Sequence, residues 1–213
     1  MTPASIPTQD ITGVILAGGL ARRMGGVDKG LQVFQGQPLI EHALQRLRPQ
    51  VAHIGINANR SLETYQALNV PVWPDATDDF SGPLSGFLAG LSHCNTPFLV
   101  TVPCDTPYFP LDLVSRLGQA LLASDADIAM ASGPEQNKQG QTELRTQPVF
   151  CLIRAHLLAS LQSFMQSGGR KIDAWTAQHH TAIVPFDQPS DDAQSFYNIN
   201  TLQQLHSIDT PAT

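Results

Sequence analysis

Basic residues are few: twelve Lys and Arg stand against eighteen Asp and Glu, a formal charge of −6. Such a chain lacks the basic stripe with which nucleic-acid binders displace counterions, so nucleic acid is not an expected partner. Cysteine is scarce as well. Cys94, Cys104 and Cys151 are odd in number and far apart, and form neither a disulfide framework nor a CxxC metal pair. No apolar run approaches the ~18 residues of a membrane helix. The opening MTPASIPTQD has neither a basic n-region nor an apolar h-region, so no signal peptide and a reducing cytoplasm are expected. His42, His53 and the pair His179-His180 show no HxxxH or HExxH spacing, which argues against zinc. A GxSxG elbow is also missing, and with it any sign of a covalent enzyme intermediate.

What is present is ordinary globular composition, 42 % apolar and 14 % charged, in 213 residues. That length suits one domain, with a core of about residues 11–208, able to bury roughly 70 % of its unfolded surface. Strand-like and helix-like segments alternate. Thr12–Leu16, Val51–Asn57, Val70–Trp73, Phe98–Val102, Ala126–Ala131, Gln147–Leu152 and Thr181–Val184 read as strands. Leu39, Ile40, Ala43, Leu44 and Leu47 recur at helical spacing, with Pro38 suited to the first turn. Helices are further expected over Leu62–Leu68, Pro83–Cys94, Leu111–Ala123, Ala155–Gln166, Lys171–Gln178 and Thr201–Ser207. Alternation of this kind predicts a three-layer α/β/α fold around a mostly parallel sheet. Ser132–Thr146 (SGPEQNKQGQTELRT) is polar without periodicity and reads as a mobile loop near the site.

Ligands of such sheets lie beyond the carboxyl ends of the strands. Leu16–Gly30, Asn57, Asp75 and Asp105 all fall at or just past predicted strand ends. In LAGGLARRMGGVDKG, Gly18, Gly19, Gly25, Gly26 and Gly30 let backbone amides approach an anion. Arg22, Arg23 and Lys29 add full charges suited to a triphosphate, although a solvated surface loop explains them equally well. Spacing rejects two familiar loops. Lys29 precedes Gly30 with no Ser or Thr after it, unlike a Walker A loop, and Gly18-Gly19 followed by five non-glycines is no GxGxxG. Asp105, in VPCD, suits a turn or cap as well as a metal. Gly82 and Gly86 frame SGPLSG, whose helix start can hold a phosphate or simply need small residues for packing. Asp78 and Asp79 read as a solvated turn. In NINT the amides of Asn198 and Asn200 share one side, with Thr201 a candidate helix cap. Arg170 and Lys171 fit either an acceptor's phosphate or solvent.

The pattern LAGGxxxRMGxxDKG after the first strand resembles the opening loop of the molybdenum cofactor guanylyltransferases, within the wider nucleotidyltransferase group. Leu16, Ala17, Gly18, Gly19, Arg23, Met24, Gly25, Asp28, Lys29 and Gly30 match in register, and the resemblance runs on to the NINT turn. Gly18, where the wider group commonly carries alanine, leans the base toward guanine. The resemblance implies a Rossmann-like nucleotidyltransferase fold and GMP transfer from GTP to the terminal phosphate of molybdopterin. By it, Leu16, Ala17, Gly18 and Gly19 line the nucleotide and Asn57 and Asp75 contact it. Lys29 and Arg23 meet the phosphates, and Asp105 is the Mg²⁺ ligand. Asn198 and Asn200 complete the metal shell or hold the acceptor, Gly82, Gly86, Arg170 and Lys171 are further candidates for the acceptor side, and molybdoenzymes or cofactor-insertion proteins are possible partners. A cytidylyl or sugar-phosphate transferase, or a non-catalytic guanine-nucleotide sensor or chaperone, is the alternative.

Overall fold

The computed structural model describes residues 4–18, 28–76, 82–137 and 139–199. In chain order the elements begin with β1 (Ile11–Leu16), β2 (Val33–Phe34), β3 (Gln37–Pro38), α1 (Leu39–Leu47) and β4 (His53–Asn57). They continue with α2 (Leu62–Gln66), β5 (Val72–Trp73), α3 (Pro83–His93), β6 (Phe98–Pro103) and α4 (Leu113–Ala123). β7 (Ile128–Gln136), β8 (Thr142–Arg154), α5 (Leu158–Gln166), α6 (Ile172–Thr176) and β9 (Thr181–Pro185) follow.

Seven strands form one sheet in the order β5-β4-β1-β6-β8-β7-β9. β5, β4, β1 and β6 are parallel, β8 runs backward between β6 and β7, and β9 lies parallel to β7. The mostly parallel sheet expected from the alternation is what forms. Every residue of β1 is buried, because helices cover both faces of this central strand. Its side chains divide with a period of two. Ile11 and Ile15 join the cluster of α1 and α4, while Val14 and Leu16 join that of α3, α5 and α6. Helix α1 buries the stripe Leu39, Ile40, Ala43, Leu44 and Leu47 that its spacing predicts. From β1 the chain steps to β4 and β5 on one side, then returns to lay β6 on the other. Between β1 and β6 the carboxyl ends therefore open a crevice.

The structure overturns one reading. Ser132–Thr146 is a two-stranded ribbon rather than a loop, with Ser132 opposite Thr146 and Gln136 opposite Thr142. Most of its outer half is exposed, so no apolar alternation was available to reveal it. Asn137 closes it, its Oδ1 accepting from the backbone N–H groups of Gln139 and Gln141. The hairpin β2–β3 is additional to the elements predicted. Gln35 and Gly36 both take positive φ, 50° and 80°, which fits the tight turn that matches strand twist. Helix α4 begins at Leu113 rather than Leu111, and Ala155–Leu157 is a 3₁₀ turn before α5. The expected helix Thr201–Ser207 lies outside the described residues.

Candidate active site

β1 delivers Leu16, Ala17 and Gly18 to the crevice. The Ala17 N–H donates to the Asn57 carbonyl at 2.9 Å, and the Cys104 N–H to the Leu16 carbonyl at 3.1 Å. The end of β1 is thus held by both neighbours. On the β4 side three polar side chains interlock. Asn57 Nδ2 donates to the Trp73 carbonyl at 2.9 Å and to Asp75 Oδ1 at 2.8 Å. Asn59 Nδ2 donates to Asp75 Oδ2 at 2.8 Å, and the Asp75 N–H returns a bond of 2.8 Å to Asn59 Oδ1. Each carboxylate oxygen keeps acceptor capacity for a further donor. The sequence reading named Asn57 and Asp75 and missed Asn59. Its one signal was an asparagine two residues after another, beyond a strand end.

Two glycines make room for this array. A Cβ on Gly18 would stand 3.0 Å from Asn57 Oδ1 and 3.6 Å from Asn59 Nδ2. One on Gly86 would meet Asn57 Oδ1 at 2.6 Å and Leu16 Cδ2 at 2.7 Å. Gly86 therefore lets α3 pack against the strand ends. Gly82, with φ 71° and ψ −153°, sits in a conformation essentially reserved for glycine just before that helix. Beneath Asp75, the Trp73 ring crosses β4 where Gly55 has no side chain, and it stacks on His93 at 5.1 Å.

Across the crevice Lys29 forms an ion pair with Asp105, their side chains 25 % and 17 % exposed. Thr106 Oγ1 donates to Asn198 Oδ1 at 2.5 Å and lies 3.3 Å from Asp105 Oδ1. The Ile199 N–H donates to the Asp105 carbonyl, while Ile199 itself is buried with Phe34 and Leu39. The asparagine turn of the C-terminal region is thereby docked on the strand-end aspartate. Arg46 donates to the carbonyls of Tyr108 and Phe109, and Gln50 to that of Pro110, fixing the loop that follows Asp105. Burial holds the Arg46 pKa below its ordinary value. Asp28, next to Lys29, is buried and paired with Arg60 at 2.7 Å, its Oδ2 buried without a partner among the described residues. Gly30 is also buried, and a Cβ there would approach the Tyr65 hydroxyl at 2.8 Å. Burial raises the pKa of Tyr65, and burial with the nearby Asp105 charge raises that of Cys104, so both stay protonated at neutral pH.

Of the remaining predicted residues, Arg170 donates to the carbonyls of Met165 and Gly169, closing the end of α5. Lys171 precedes the first residue of α6 and is exposed. Gly19, Arg22, Arg23, Asp78, Asp79, Asn200 and Thr201 lie outside the described residues.

The acceptor array and the lysine–aspartate pair flank the switch point of the α/β sheet, the place at which such sheets bind their ligands. A family model described as MobA-like NTP transferase domain matches residues 13–183. A molybdenum cofactor guanylyltransferase from Albidiferax ferrireducens is 62 % identical over 206 residues, covering 96 % of this chain and 98 % of its own. One from Acidovorax sp. (strain JS42) is 60 % identical over 205 residues, covering 96 % and 97 %. The chain belongs to the molybdenum cofactor guanylyltransferase family. In fold it is similar to the molybdopterin-guanine dinucleotide biosynthesis protein A of Archaeoglobus fulgidus, with a TM-score of 0.70, 20 % identity, and 92 % and 95 % of the two chains covered.

Proposed function

We propose that the protein transfers GMP from GTP to the terminal phosphate of molybdopterin, a phosphate oxygen of the acceptor attacking the α-phosphorus as the bond to pyrophosphate breaks. The observation that carries this reading is the pairing of Lys29 with Asp105 across the crevice from the Asn57–Asp75 array. One side offers acceptors for a base or ribose, and the other a cation and a carboxylate for phosphates. Positioning and charge neutralisation are what such a transfer mainly requires.

Leu16, Ala17, Gly18 and Gly19 line the nucleotide, and Asp75 accepts from the guanine amine or a ribose hydroxyl. Lys29, with Arg23 of the same loop, neutralises charge developing on the leaving pyrophosphate. The donors at the crevice are oxygens: the Asp105 carboxylate, with Thr106 and Asn198 beside it. Among the described residues no group of three His, Cys, Asp or Glu gathers into a metal cage. This donor set fits Mg²⁺, which takes one or two carboxylates and completes its shell with phosphates. Asp105 would hold it, and the ion would supply charge neutralisation at the α-phosphate. To the acceptor we assign Asn198 and Asn200, with Gly82, Arg170 and Lys171, whereas Gly86, which abuts Asn57 and Leu16, belongs with the nucleotide side.

Incubation with GTP, Mg²⁺ and molybdopterin, followed by mass detection, should yield the guanylated product and pyrophosphate. Equal use of CTP or UTP would reassign the base. Nucleotide binding without acceptor-dependent pyrophosphate release would reduce the protein to a sensor.

A further inference from the structure

The turn that leaves β4 reaches both sides of the crevice. Asn57 and Asn59, two residues apart, turn to one side and hold both oxygens of Asp75. Ala58 between them is buried in the apolar cluster of α1 and α4. Arg60, next in line, turns the other way and pairs with Asp28, whose neighbour is Lys29. Ser61 then takes φ 50°, a left-handed conformation that redirects the chain into α2.

We infer that Asn59 and Arg60 are positioning residues, the former for the base-side carboxylate and the latter for the phosphate-side lysine. Asn57 already spends both amide protons, on Trp73 and Asp75. Among the described residues only Asn59 grips Asp75 at two points, taking its N–H and donating to its second oxygen. A carboxylate held by one amide swings about its Cβ–Cγ bond; held by two, its plane is fixed and its outward lone pairs keep one direction. Asp28 is the converse case. It is buried, one of its oxygens has no partner among the described residues, and it occupies the N-cap position of the 3₁₀ turn that starts with Lys29. Without the Arg60 guanidinium the charge would be buried unpaired, and the cheapest relief is to move the segment carrying Lys29. A short stretch of backbone, rigid through Ala58, thereby sets the spacing between base reader and phosphate reader.

The inference rests on the nucleotide roles proposed for Asp75 and Lys29, and its test separates the two. Steady-state kinetics on GTP, ITP and 2′-deoxy-GTP are compared for Asp75→Ala, Asn59→Ala, Arg60→Met and Arg60→Lys, each checked for folding by its melting curve. Asp75→Ala first identifies which preference depends on that carboxylate. If none does, the underlying reading of Asp75 fails. Asn59→Ala should lower that same preference about tenfold through KM, the scale of a lost hydrogen bond to a charged group. Arg60→Met should leave the preference intact but reduce kcat/KM for every triphosphate about tenfold, and Arg60→Lys should recover most of it. Variants that lose only thermal stability, or that shift the same parameter as each other, overturn the assignment.

Discussion

On the β5-β4-β1-β6 side all four strands run one way, and Asn57, Asp75 and Asp105 lie at or within two residues of the ends of β4, β5 and β6. On the β8-β7-β9 side one strand is reversed, and the region around it is organised by rings. Phe150 meets Phe196 at 5.0 Å, Phe196 meets Phe186 at 5.3 Å, and Arg116 lies over Phe186 at 3.8 Å. The first half holds its polar groups in place through side-chain hydrogen bonds. The second carries the segment ending in Asn198 back to Asp105 by apolar packing, helped by the Arg116–Asp191 pair at 2.7 Å. Polar network and apolar scaffold are thus divided between the halves, which meet in the β6–β8 pairing and again where Thr106 and the Asp105 carbonyl bind Asn198 and Ile199.

Substitutions can break that division. The largest effect belongs to Asp105→Ala, which should cut turnover by about 10³-fold or more while the melting temperature moves by only a few degrees. Comparable losses of activity and stability would show that Asp105 is scaffold. Phe196→Ala should do the reverse, lowering the urea-derived stability by about 3–5 kcal/mol, the usual loss for a buried phenylalanine, with GTP affinity retained in the folded fraction. Parallel loss of GTP affinity would erase the distinction. A smaller effect is expected at Asp191. The Arg116 guanidinium holds this carboxyl below the ordinary carboxylate range. A lowered folded value means that its contribution is complete above about pH 4 and disappears as pH falls through the folded value. Asp191→Asn should therefore be less stable than the parent at neutral pH and converge with it in acid, which urea midpoints across pH would show. Least of all, Leu144→Ser on the exposed ribbon should change stability by less than about 0.5 kcal/mol.

The difference between halves also explains what the sequence revealed. β1, the α1 stripe and the strand-end position of Asp105 were legible because spacing and burial leave periodic or motif-like marks. The ribbon left none, since a strand wet on most of its surface has no need of alternation. The pairing of Arg60 with Asp28 spans 32 residues and uses two common charged types, so nothing local announces it. Asn59 is visible only once Asp75 is in place beside it. Even the Asn198 turn, recognised as polar, gave no hint that Ile199 would be its buried anchor.

The two tryptophans occupy different surroundings. Trp175 is fully buried on α6 against Phe87, whereas Trp73 is half-buried, stacked on His93, with its carbonyl bound by Asn57. Replacing Trp175 with phenylalanine would leave a single indole emitter two residues from Asp75. Its quenching on addition of nucleotide would report occupancy of the base side directly, in real time and without any acceptor present.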